Sequence, residues 1–132
     1  MPAIVRKPNP TNVENRREIL HAISWQVRPN AWSPPTDVYE TEEGFIVKVE
    51  IAGLREEDFE VAIEDNILRV SGNRPDLSER RAYHQMEIRF GKFEIAVELP
   101  SPFDVERSTA VYRDGFLVIS LPKQEPREIK VG

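Results

Sequence analysis

Residues Ser108–Pro122 read STAVYRDGFLVISLP. Two runs rich in β-branched and aromatic residues flank Asp114-Gly115, a dipeptide suited to a type I′ turn, where both central residues take positive φ. A two-residue loop fixes the register. Tyr112 falls opposite Leu117 and Ala110 opposite Ile119, which makes one face apolar. Thr109, Arg113 and Ser120 take the other face, where Val111 and Val118 form an apolar pair. The stretch is an antiparallel hairpin with one side turned to a core.

Upstream the same punctuation recurs, with DVYET, GFIVKVEIAG, FEVAIEDNILRVSG, RAYHQME and GKFEIAVELP separated by turn residues. In GFIVKVEIAG, Phe45, Val47, Val49 and Ile51 alternate with Ile46, Lys48 and Glu50, the period of a half-buried strand. Around Asp65-Asn66 a second two-residue loop sets Ile63 opposite Leu68 and Val61 opposite Val70. About seven or eight short strands at this spacing, with no helical period among them, predict an all-β, immunoglobulin-like, two-sheet antiparallel β-sandwich over residues 33–122. The loop 74–90 is long for a hairpin, and loops beyond about 12–15 residues usually carry function. Its strand-like residues Ala82, Tyr83, His84, Gln85 and Met86 sit in a charged frame. They are expected to reach out and pair with the sheet edge of another molecule.

Residues 1–32 have a different character. TNVENRREILHAISWQV carries a capping-box pattern at Thr11 and Glu14, and Val13, Leu20, Ile23 and Val27 recur near helical spacing, which predicts a short helical N-terminal arm. Pro29, Pro34 and Pro35 end it and keep the joint extended. At the other terminus, residues 123–132 form an extended tail ending EIKVG. Ile129 and Val131 stand at i and i+2, so in a strand both point to one side, roughly 6.5 Å apart. Pro122 and Pro126 prevent a helix, and the KQEPRE linker spans about 20 Å when extended. Burial of each side chain yields about 1.5–3 kcal/mol before ordering costs, a weak and exchangeable plug. The pair suits either insertion into a neighbouring subunit or a last strand on its own sandwich.

Composition narrows the function. The 132 residues suffice for one domain with extensions, and no apolar run has the length of a membrane span. Net charge is −5. Residues 1–35 hold five basic residues against two acidic, a net of +3, which leaves −8 on the remainder and argues against nucleic-acid binding. The lack of Cys fits a reducing compartment, with the cytoplasm as default, and removes thiolate metal sites. His21 and His84 have no partner for a metal site or a nucleophile motif. Glu42-Glu43 and Glu56-Glu57-Asp58 read as solvated surface, and no phosphate-binding Gly-rich loop is present. No metal, no cofactor and no enzymatic centre are expected.

The order of motifs is more specific. AVYRDGFL, with Ala110, Gly115 and Leu117, followed by Pro122-Lys123, resembles the A-x-x-x-x-G-x-L signature of the small heat-shock proteins in their alpha-crystallin domain. VEIAGLREEDFEVAIEDNILRVSGNR, GKFEIAVELP and the terminal IKV are similar to further motifs of that family, in the same order, so the resemblance covers residues 33–131. Phe116 departs from the usual Val. Ile95 stands where the family commonly has a dimer-interface Arg, which bears on dimer electrostatics rather than fold, and Ala52 replaces a frequent Pro.

The resemblance implies an ATP-independent chaperone that binds partly unfolded client proteins under heat or other stress. It implies a homodimer formed by strand exchange through Ala82–Met86 and assembled into a larger homo-oligomer. The tail residues Ile129 and Val131 are then expected in a groove edged by Val61 and Ile63 on one side and Thr109 and Val111 on the other. Clients are expected on the apolar leader residues Ile19, Leu20, Ile23, Trp25, Val27 and Trp32. The competing expectation is a monomeric p23-like sandwich acting as a binding module or co-chaperone; that related family generally lacks the long loop and the I-x-I/V tail.

Overall fold

The computed structural model describes residues 31–76, 79, 81–125 and 131, and the backbone of residues 5–6. The helix expected over residues 11–27 lies outside the described residues, as do Ile19, Leu20, Ile23, Trp25, Val27 and Ile129.

Among the described residues eight strands occur: β1 (Val5–Arg6), β2 (Thr36–Glu40), β3 (Gly44–Glu50), β4 (Phe59–Glu64), β5 (Ile67–Arg74), β6 (Gly91–Glu98), β7 (Thr109–Arg113) and β8 (Phe116–Pro122). They build two four-stranded sheets, ordered β1-β4-β5-β6 and β2-β3-β8-β7. All pairings are antiparallel except β1 with β4. A single 3-10 turn, Glu56–Asp58, leads into β4, with Asp58 accepting from the Arg55 amide at 2.7 Å.

Both hairpin registers follow from their turns. Ala110 pairs with Ile119 and Tyr112 with Leu117, while Val61 pairs with Val70 and Ile63 with Leu68. Asp114 and Gly115 take φ of 53° and 83°, the positive pair that a type I′ turn requires. Rows of inward residues then face each other across the sandwich. Val61, Val70 and Ile95 form one row, and Val47, Ile119 and Ala110 another. Val47, Val49, Ile51, Val61, Ile63, Leu68, Val70, Ala110, Leu117 and Ile119 are wholly buried. At about 1.5–3 kcal/mol for each large side chain, these rows dominate the stabilisation. Gly72 lies where a Cβ would collide with the Asp58 carbonyl and the Phe93 ring, so the close approach of β5 to the 3-10 turn demands glycine there.

Residues 82–86, expected to pair with another molecule, form no strand within the single subunit. Their polar frame has no apolar row to lie against inside the sandwich, and all five are exposed. Conversely, β1 was not anticipated, because a two-residue strand is too short to show a period of two.

Candidate functional site

The sandwich has two lateral sides, each where the edge of one sheet lies beside the edge of the other. On the first, β2 pairs with β3, and its other edge has no partner among the described residues. Val38 lies in register with the wholly buried Val47, yet it is 45% exposed because no described residue covers that edge. The facing edge belongs to β6, whose Ile95 and Val97 join Pro34, Thr36 and Val38 around a cleft of about 450 Å³. Ile95, placed where the resemblance leads one to expect Arg, makes this wall apolar.

The arm that leaves β5 and returns to β6 is exposed along residues 81–89. Met86 and Ile88 are 61% and 65% exposed, and Tyr83 is also open to solvent. In an extended strand Ala82, His84, Met86 and Ile88 fall on one face and Tyr83, Gln85 and Glu87 on the other. Arg74 closes the base of the arm. Its Nε donates to the Arg89 carbonyl at 2.7 Å, a second nitrogen donates to the same oxygen, and its guanidinium lies 4.5 Å from the Trp32 ring and 5.6 Å from that of Phe90. Further out, Arg81 donates to the Tyr83 hydroxyl at 3.0 Å and pairs with Asp76 and Glu79. The sequence reading missed Arg74. Its signal was its place as the last residue of a strand that opens a long charged loop.

On the second side, the edges are β4 and β7. Val61 and Ile63 point into the core, whereas Thr109 and Val111 are exposed on the opposite face of β7 from the buried Ala110. The four anticipated groove residues therefore differ in character: the β4 pair already serves the core, and the β7 pair remains accessible. Tyr112 ties the two edges together. Its hydroxyl donates to the Ile51 carbonyl at 2.8 Å and accepts from the Leu54 amide at 3.2 Å, and its ring lies 5.5 Å from Phe59. The outer edge of β4 carries β1 in parallel, with Val5 beside Val61 and Arg6 beside Ala62. Val131 is 97% exposed within the subunit.

Trp32 corrects one expectation. It was expected among the leader residues that bind clients, but it is 9% exposed and belongs to the core. Its amide donates to the Lys92 carbonyl at 3.0 Å and its carbonyl accepts from the Glu94 amide at 3.0 Å, a parallel bridge onto β6. The indole packs 5.8 Å from the Phe93 ring and donates Nε1–H to the Gly91 carbonyl at 3.3 Å. Backbone pairing and ring packing together outweigh the tendency that placed it with the leader. Trp32 is thus part of the sandwich core.

Among the described residues no group of three or more His, Cys, Asp or Glu is placed to hold a metal ion, and no helix is long and apolar enough to cross a membrane. A sequence model of the Hsp20/alpha crystallin family matches residues 37–131. Small heat shock protein C4 of Rickettsia felis is 35% identical over 100 residues, covering 74% of this chain; the chain spans 61% of that relative's length. Among solved structures, heat shock protein 16.0 of Schizosaccharomyces pombe matches with a TM-score of 0.63 and 30% identity, over 76% of this chain and 98% of that one. The small heat-shock protein of Xylella fastidiosa, described as having a distinct high order structure, matches with a TM-score of 0.64 and 31% identity, over 76% and 97%. The family model covers most of the chain and the solved structures share its fold, and the chain belongs to the Hsp20/alpha crystallin family.

Proposed function

We propose that the chain is an ATP-independent chaperone that holds partly unfolded proteins under heat or other stress, built from homodimers that assemble further. The observation that supports this reading, beside the family itself, is that one subunit carries both an arm with exposed apolar side chains and a cleft with an apolar part of its wall. Met86 and Ile88 stand exposed on the arm, and Pro34, Val38, Ile95 and Val97 line the cleft beside the open edge of β2. Within the subunit the arm does not lie along β2. The arm of a second copy can, adding residues 82–86 to the β2 edge while Met86 and Ile88 cover the cleft. The exchange is reciprocal, which gives a closed two-fold dimer.

Larger assembly follows from the tail. Ile129 and Val131 of one dimer dock between β4 and β7 of the next, with Thr109 and Val111 at the rim and Val61 and Ile63 behind. Each plug is weak, and many plugs on a symmetric particle are strong through effective concentration. Clients bind the leader's Ile19, Leu20, Ile23, Trp25 and Val27, which are shielded in the assembly and offered when subunits part. Trp32 is excluded from that set, since it is held in the sandwich.

The test is light scattering from a heat-labile reporter enzyme warmed with and without the protein, with no nucleotide present. The full chain at near-equimolar amounts is expected to suppress aggregation, and a variant with Leu20, Ile23 and Trp25 changed to Ser is expected to lose most of that protection. Undiminished aggregation with the full chain would overturn the chaperone reading; undiminished protection by the Ser variant would remove clients from the leader.

A further inference from the structure

The arm between β5 and β6 stands away from the sheets that carry it. Residues 81–89 are exposed, and among the described residues no main-chain hydrogen bond ties residues 81–88 to either sheet. A cleft of about 700 Å³ separates the returning limb from the end of the sandwich, with Glu87 and Ile88 on one wall and Glu50 and Ala52 on the other. The direction of the limb is therefore set at residues 89–91, where it enters β6.

Three features meet there. Arg74 ends β5 in register with Gly91, and two of its nitrogens donate to the one Arg89 carbonyl while a third reaches the Ala52 carbonyl at 3.5 Å. A planar guanidinium with two donors on a single oxygen orients that peptide in a way a point charge does not. Trp32 joins it: the indole N–H meets the Gly91 carbonyl at 3.3 Å, and the ring lies 4.5 Å from the Arg74 guanidinium. Gly91 itself takes φ of 91° with no atom within 4 Å of where a Cβ would lie, so the bend of the backbone, and no neighbour, calls for glycine. The tolerance is narrow. From Arg89 back to Ala82 the limb spans about 23 Å when extended, so a swing of about 15° at its base moves its far end by about 6 Å, roughly two residues of strand register.

We propose that Arg74 and Trp32 are the positioning residues of strand exchange: at the Gly91 bend they aim the arm along the line on which the β2 edge of a second copy receives residues 82–86. The inference rests on the strand-exchange reading above and adds to it what sets the aim. Neither side chain lines the cleft beside β2, so both act on the dimer only through the direction of the arm. An arm already aimed has less freedom to lose on docking. Loss of the aim then weakens the dimer while every residue of its interface stays in place.

The experiment perturbs the base of the arm in the full chain in two ways. Arg74→Lys keeps the charge and loses the fork, and Gly91→Ala opposes the positive φ while leaving the side-chain contacts in place. Each is expected to raise about fivefold or more the concentration below which monomer appears on dilution, read by mass photometry, and Trp32→Phe, which keeps a ring and loses the N–H, is expected to act the same way to a smaller degree. The aim itself is read with the arm undocked by Met86→Asp and Ile88→Asp. Since the chain has no Cys, spin labels go to Gln85→Cys on the arm and Arg113→Cys at the end of β7, and dilution into excess unlabelled chain leaves only the distance within one subunit. Arg74→Lys and Gly91→Ala are each expected to broaden that distance distribution about twofold. Unaltered widths in both would overturn the clamp, and broadened widths beside an unchanged monomer threshold would overturn its part in exchange. A Met86→Asp, Ile88→Asp chain whose monomer threshold equals that of the parent would instead overturn strand exchange, and this inference with it.

Discussion

On the β4–β7 side the chain covers a strand edge with its own residues 5–6, whereas on the β2–β6 side the edge of β2 lacks a described partner and an apolar cleft opens beside it. An exposed edge with apolar neighbours is an aggregation hazard that proteins cover, charge or use. This chain covers the one and offers the other. The difference follows from where the leader is held: Trp32 bridges to β6 only as far as Glu94, and Pro34-Pro35 then carry the chain across to the other sheet. Proline lacks an amide hydrogen, so pairing along β6 stops there and Ile95 and Val97 are left facing the cleft.

The contrast breaks first at Trp32. Trp32→Ala removes a buried indole, its hydrogen bond and the stacking of Arg74, and is expected to lower the unfolding free energy by about 3 kcal/mol, measured by chemical denaturation. If Trp32 served only clients, stability would be unchanged. The open side is tested next by Val38→Asp. The side chain is 45% exposed, so the subunit is expected to keep its fold, while a charge set against Ile95 and Val97 raises the dimer dissociation constant about tenfold or more, read by analytical ultracentrifugation. A dimer of unaltered strength would place its interface elsewhere. The smallest effect is expected at the base of the arm: Arg74→Ala removes an exposed clamp and is expected to cost about 1 kcal/mol in denaturation, with faster hydrogen exchange at Arg89 and Phe90. Unchanged exchange there would show that the arm's base is held by other contacts.

Much of the sandwich is legible in the sequence because its information is local. Asp65-Asn66 and Asp114-Gly115 each define a turn, each turn fixes a register, and each register sorts Val61, Ile63, Ala110 and Tyr112 onto the inner face. What is not local is less legible. Trp32 lies beyond the helical period of the leader, and its core role depends on Phe93, far along the chain. Val5-Arg6 is too short to show alternation, and its strand exists only because β4 offers an edge. The groove residues lie between: Val61 and Ile63 were expected to edge a tail-docking groove, and whether such a residue faces the core or the rim depends on the partner sheet. The arm is a different case: its strand-like residues 82–86 find no partner strand among the described residues of the subunit.

The most direct measurement is the native mass of the full chain by mass photometry, beside that of the Ile129→Gly, Val131→Gly variant. The account predicts an oligomer of many subunits for the first and a dimer for the second, since the open side makes the pair and the tail joins pairs. A full chain that runs as a monomer, or a variant whose mass equals that of the full chain, would contradict it.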